Sequence, residues 1–141
     1  MKTMLIVPAL IAAGLALPVS FAKAGELTVT ITDIRASKGA LLVSVIGSEA
    51  GWKNQEKPVV AEKHVVNGAE AVLKFNLPAG SYAVQVLHDE NENGELDFNA
   101  MGIPTEGYGF SNNPQVMRRA EFNEAKFNVT DAASSIVVQL R

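Results

Sequence analysis

LKFNLPAGSYAVQVLHD, residues 73–89, decides the fold of this chain. Leu73, Phe75 and Leu77 alternate with Lys74 and Asn76, the period of two that sends successive side chains to opposite faces of a strand. LPAG then reads as a turn, and SYAVQVLHD as a further strand that is apolar on both faces and therefore central in its sheet. Tyr82 follows that turn directly. It is read either as a corner tyrosine whose hydroxyl bonds back to a nearby backbone group, or as an amphipathic core side chain.

The same period recurs on both sides of this stretch. Leu27, Val29 and Ile31 alternate with Thr28, Thr30 and Thr32; GALLVSVIG, residues 39–47, is a more apolar strand; Pro58 to Val66 is another, ended by the Asn67-Gly68 turn signal. AKFNVT, residues 125–130, and SSIVVQL, residues 134–140, complete the set, the last with Ile136, Val138 and Leu140 on one face. Helical periodicity is missing, with room for one short helix between Val116 and Glu124. Seven short strands separated by turn residues predict an all-β, Greek-key, Ig-like sandwich with one long acidic loop over residues 90–113.

Residues 1–24, MKTMLIVPALIAAGLALPVSFAKA, carry Lys2, an apolar run from Met4 to Leu17, and Ala22-x-Ala24. That is the pattern of a secretory signal peptide cleaved before Gly25, the run being too short and too proline-interrupted for a membrane anchor. The expected mature chain is a single domain over 25–141, with no membrane span, in the periplasm or secreted. Without Lys2 and Lys23 it has ten bases against fifteen acids, a net charge of −5. An acidic chain with no basic cluster excludes nucleic acid as a natural partner. There is no cysteine, which excludes disulfides, thiolate metal sites and a lipidated N-terminus.

HDENENGELDFNAMGIPTEGYGFSNN, residues 88–113, holds six acids, Asp89, Glu90, Glu92, Glu95, Asp97 and Glu106, while no Lys or Arg stands between Lys74 and Arg118. Asp89-x-Asn91-x-Asn93-Gly94 is the frame that wraps an oxygen-seeking cation: alternate side-chain oxygens face inward and Gly94 allows the sharp turn. The Glu95 carbonyl and Asp97 extend the ligand set, and Glu106 is the best-placed acid to complete it. This chemistry suits Ca²⁺ better than Zn²⁺. Position twelve of the frame is Ala100 and a strand enters the loop, so this is not an EF-hand. The alternative is a hairpin turn at Asn93-Gly94 with a solvated acidic surface.

Gly102, Gly107 and Gly109 give the following segment backbone freedom around Tyr108 and Phe110. These aromatics either plug one end of the sandwich as a lid or, with Asn112 and Asn113, form a recognition loop for a protein, peptide or glycan.

The run from Leu77-Pro78-x-Gly80-x-Tyr82 through His88-Asp89-x-Asn91-x-Asn93-Gly94 and Asp97 to Gly102-x-Pro104-x-Glu106-Gly107-Tyr108-Gly109-Phe110-Ser111-Asn112-Asn113 resembles the signature of domain-of-unknown-function family 2141, small secreted bacterial proteins. The resemblance implies a transthyretin-like sandwich exported from the cytoplasm, and no activity. The expected function is a non-enzymatic binding or structural module of the envelope, monomeric or weakly oligomeric, with a calcium-stabilised loop.

A small hydrolase using His88 and acidic loop residues is the alternative. His64 and His88 are the only histidines, and adjacent residues His88 and Asp89 point to opposite faces of a strand, which separates base from orienter. Ser111 lacks the context of a nucleophile elbow. His88 is read instead as a hydrogen-bonding group that fixes the start of the loop.

Overall fold

The computed structural model describes residues 23–141; the expected leader, but for Lys23 and Ala24, lies outside the described residues. The chain forms β1 (Ala24–Thr32), β2 (Ala40–Ile46), α1 (Glu49–Asn54), β3 (Val60–Val65), β4 (Ala71–Pro78), β5 (Gly80–Asp89), β6 (Gly107–Phe110), α2 (Phe122–Ala125), β7 (Phe127–Val129) and β8 (Ser134–Gln139). It is an all-β sandwich. One sheet has the order β4-β1-β8, the other β3-β2-β5-β6, and β7 pairs with the first residues of β5. Neighbours are antiparallel except β1 and β8, whose parallel pairing brings the two ends of the described chain together.

The period of two becomes the core. Leu27, Val29 and Ile31 of β1, Leu73, Phe75 and Leu77 of β4, Leu41, Val43 and Val45 of β2, Val84 and Val86 of β5, and Val138 of β8 are buried in one cluster between the sheets, with Ile136 packed against it partly buried. Full burial of such a side chain contributes about 1.5–3 kcal/mol, so a register slip that turned these faces outward would forfeit the core. The LPAG turn does not close a hairpin within one sheet: β4 and β5 belong to different sheets, and the turn is the corner between them. Tyr82 is the corner side chain, its hydroxyl donating to the Pro78 carbonyl at 2.8 Å.

Among the described residues there are eight strands, not the expected seven, because residues 90–113 are not all loop. Gly107-Tyr108-Gly109-Phe110 pairs with Gln85–His88 as β6. Its period of two is disguised, since the inward positions are glycines. A Cβ on Gly109 would stand 2.7 Å from the Gln139 carbonyl oxygen and 2.9 Å from Val138 Cγ1. β8 therefore lies directly on the bare face of β6, and Tyr108 and Arg141 exchange backbone hydrogen bonds of 3.2 and 3.0 Å that join the two sheets along this seam.

The lid expected from Tyr108 and Phe110 is likewise a strand face. Both rings point to the outer side of the larger sheet, where Phe110, Ile46, Trp52, Ala83, Ala120, Phe122 and Ala125 make a second small core. α1, which the residue pattern did not suggest, exists to deliver Trp52: Ser48 caps it by accepting from Gly51 N at 3.0 Å, and the indole N–H donates to the Ala120 carbonyl at 2.8 Å. α2 occupies the end of the interval left for a short helix, closed by a capping box between Glu121 and Glu124. Among the described residues no helix is long and apolar enough to cross a membrane.

Candidate functional site

His88 and Asp89 end β5 and leave it on opposite faces. His88 is wholly buried between the sheets, beside Leu41 and Gly107, with Nε2 2.8 Å from the Lys38 carbonyl. Nε2 is the donor in that pair, which ties the approach to β2 to the start of the acidic loop and leaves Nδ1 buried without a partner.

Asp89, buried on the other face, organises the loop. Its Oδ1 accepts from Asn93 N at 3.0 Å and its Oδ2 from Gly94 N at 2.8 Å. Gly94 has φ +83°, the left-handed turn that its lack of Cβ allows. Asn91 Oδ1 accepts from Asn93 N and Asn93 Oδ1 from Glu95 N, at 3.1 and 3.0 Å. The two side-chain amides in turn donate to Asp97, Asn91 Nδ2 to Oδ2 at 2.6 Å and Asn93 Nδ2 to Oδ1 at 2.9 Å.

Asp89, Asn91, Asn93 and Asp97 are thus drawn into one hydrogen-bonded ring. Each of their six side-chain oxygens accepts one bond and has a second acceptor position. The donor chemistry is all oxygen and fits a hard cation. Among the described residues no three His, Cys, Asp or Glu side chains gather in a metal-binding group, for two of the four members here are amides. Glu106, also buried, stands beside the ring as a brace: its Oε1 accepts from Glu90 N at 2.9 Å and its Oε2 from Asp97 N at 3.1 Å.

Two of the loop's six acids, Glu90 and Glu92, meet cations from elsewhere in the chain. Arg35 Nε reaches Glu90 at 2.8 Å, Lys38 reaches it at 3.5 Å, and Lys63 of β3 lies 3.7 Å from Glu92. Arg35 also donates to the Thr105 carbonyl, holding both ends of the loop. Burial opposes the charge on Glu90, but the Arg35 hydrogen bond and charge, with smaller help from His88 and Lys38, keep its carboxyl below the usual range.

The far side of the loop borders an open groove on the outer face of the larger sheet. Two adjoining hollows, about 280 and 520 Å³, share Gln85 and Leu87 on the floor, Leu96 and Phe98 on the loop wall, and Arg119 opposite. The loop wall is set by a tight turn: Asn99 Oδ1 accepts from Met101 N and Ile103 N, and Phe98 bridges Pro104. Phe98, Met101 and Ile103 are held more than half exposed, and Met117 across the groove is fully so. Tyr108 and Phe110 reach this surface, while the Asn112 and Asn113 amides are turned to backbone groups, Asn112 to Glu124 and Lys126 and Asn113 to Val137 and Gln139.

Arg119 was not singled out by sequence reasoning. Its guanidinium lies 4.6 Å from the Trp52 ring centre, donates from Nε and Nη2 to Gln85 Oε1 at 3.2 and 2.9 Å, and from Nη1 to the Trp52 carbonyl at 2.8 Å. Burial alone pushes it down from its ordinary pKa. The available signal was weak: the one tryptophan of the chain, and the first cations after forty-three residues without one.

Fold and surface define a β-sandwich module with a side-chain-organised acidic loop beside an apolar groove. A family model described as an uncharacterized protein conserved in bacteria (DUF2141) matches residues 29–137, and the chain belongs to that family. Neither the curated proteins nor the solved structures give a match.

Proposed function

We propose that this protein is a non-enzymatic binding module of the bacterial envelope, periplasmic or secreted, whose groove receives a ligand and whose Asp89–Glu106 loop is ordered by calcium. One observation carries the reading: the segment that gathers the oxygens of Asp89, Asn91, Asn93 and Asp97 also supplies the exposed wall formed by Leu96, Phe98 and Pro104. An ion bound by those four side chains and the Glu95 carbonyl would hold that wall in place. Exposed apolar side chains grouped around a concavity mark an interaction surface. The burial of His88, with one ring nitrogen on Lys38 and no face toward the groove, supports a binding role over a hydrolytic one. The transthyretin-like kinship of the sandwich belongs to the same proposal.

Calorimetry and thermal melting with calcium test it. Extracellular calcium modules bind with dissociation constants of about 10⁻⁴ to 10⁻³ M, and free ion at ten times that constant stabilises the fold by about 1.4 kcal/mol. Asp97→Asn should remove most of the effect and Glu92→Gln should leave it. Absence of both heat and melting shift at millimolar calcium would overturn the calcium assignment.

A further inference from the structure

We infer that the groove binds a small apolar monocarboxylate, an aliphatic acid whose carboxylate docks on Arg119 and whose tail lies along Leu87, Leu96 and Phe98. The inference rests on the groove being the ligand site, and it adds the chemical class of the ligand.

The argument starts from the guanidinium. Arg119 has five N–H donors, and its three hydrogen bonds go to Gln85 and Trp52, both neutral acceptors. Two donors are left, and among the described residues no carboxylate forms an ion pair with it, whereas Arg118 beside it is paired with Glu124 at 2.8 Å. Its orientation is set by the Trp52 face and by Gln85, so little freedom is lost when an anion arrives. A planar guanidinium with two donors free matches a carboxylate.

The rest of the groove selects the tail. Leu87, Leu96, Phe98, Pro104 and Tyr108 line the smaller hollow, where the tail lies, and Met117 on its rim is an unbranched, adaptable side chain; Glu56 and Glu95 line only the larger hollow and turn the ligand away from it. A peptide or glycan fits less well. The floor consists of side chains from β5 and β6; β5 is flanked by β2 and β6, and on the outer edge of β6 Arg141 takes both Tyr108 backbone groups and Asn113 N takes the Phe110 carbonyl, so no run of free strand edge is offered to a peptide backbone. A peptide laid across Leu87 and Phe98 would bury unpaired amide groups, and a sugar would bury hydroxyls. An alkyl chain carries no such cost.

Octanoate and 1-octanol are the probes, used at neutral pH with the mature chain, with and without millimolar calcium, and followed by backbone amide and Arg119 Nε–H shifts and by Trp52 fluorescence. Octanoate should bind about tenfold more tightly than octanol, the worth of a charge-assisted hydrogen-bonded contact, with shifts at Gln85, Leu87 and Phe98. Gln85→Glu, which gives Arg119 a carboxylate inside the protein, should abolish the preference while leaving the melting temperature equal or higher, and Arg119→Gln should abolish it independently. Equal affinity for acid and alcohol at the groove would overturn the carboxylate assignment and leave the groove as a binding site. Octanoate preference that survives both substitutions would overturn the role of Arg119. No shift at groove residues with either probe would overturn the groove reading and this inference together.

Discussion

The Tyr82 hydroxyl donates a 2.8 Å hydrogen bond to the carbonyl of Pro78, four residues earlier, across the corner where the chain passes from the smaller sheet to the larger. The ring packs in the core while its hydroxyl ties that carbonyl to the start of β5 in the larger sheet. Tyr82→Phe keeps the packing and removes that bond. It should cost about 1 kcal/mol, read as a lower urea midpoint with an unchanged slope.

Gly109→Ala should be more damaging than its size suggests. The added Cβ meets the Gln139 backbone oxygen at 2.7 Å, and a backbone atom in a packed strand cannot swing aside. Overpacking of this kind costs about 1–3 kcal/mol, and here it should pry β6 from β8. Gly94→Ala meets no neighbour but forces a side chain into positive φ, so its effect should be confined to the acidic loop. Thermal melts and amide exchange at Tyr108 and Arg141 separate the two.

Asn113 closes the free edge of β8. Its amide donates to the Val137 carbonyl at 3.0 Å and accepts from Gln139 N at 2.8 Å, taking the place of a neighbouring strand. Asn113→Ala should lose about 1–2 kcal/mol and speed amide exchange at Gln139. An exposed edge also invites pairing with another copy, so light scattering of the variant should rise with concentration.

Acid should weaken the Arg118–Glu124 contact that braces α2. Arg118's paired hydrogen bonds, then the Glu121 backbone N–H, lower the Glu124 carboxyl from its ordinary 4.5 to about 2. A carboxyl lowered by folding stabilises the native state above its ordinary value, and that contribution disappears as pH falls through its folded value. The Glu124 contribution should therefore fade between about pH 4.5 and 2. Glu90, also lowered, should release Arg35 over the acid range below 4.5. Carboxyl carbon shifts of both residues against pH check the direction for each, and Arg118→Gln should bring the Glu124 titration back toward its ordinary value.

Much of the sandwich was legible along the chain. Leu27, Val29, Ile31, Leu73, Phe75 and Leu77 alternate because each strand has one dry face, and that alternation survives in the sequence whatever the strand pairs with. The ring of Asp89, Asn91, Asn93 and Asp97 could also be anticipated, because its members lie within nine residues and their hydrogen bonds are local.

β6 was not legible, because its inward residues are Gly107 and Gly109 and the reason for them is β8, some thirty residues further on. The cations that meet Glu90 and Glu92 were equally remote: Arg35, Lys38 and Lys63 reach them only after β2, β3 and β5 have paired. Arg119 is the extreme case. Trp52 and Gln85, which fix its guanidinium, are 67 and 34 residues away, and a side chain's partners at such separation are set by sheet registry and packing. The sequence by itself determined the alternation of dry and wet faces and the local turn chemistry, since both depend on neighbours in the chain. Which charges meet, which glycines must be glycines and where the Arg119 guanidinium borders the groove were decided by tertiary structure, because Coulomb attraction, steric exclusion and desolvation act through space between residues the chain holds far apart.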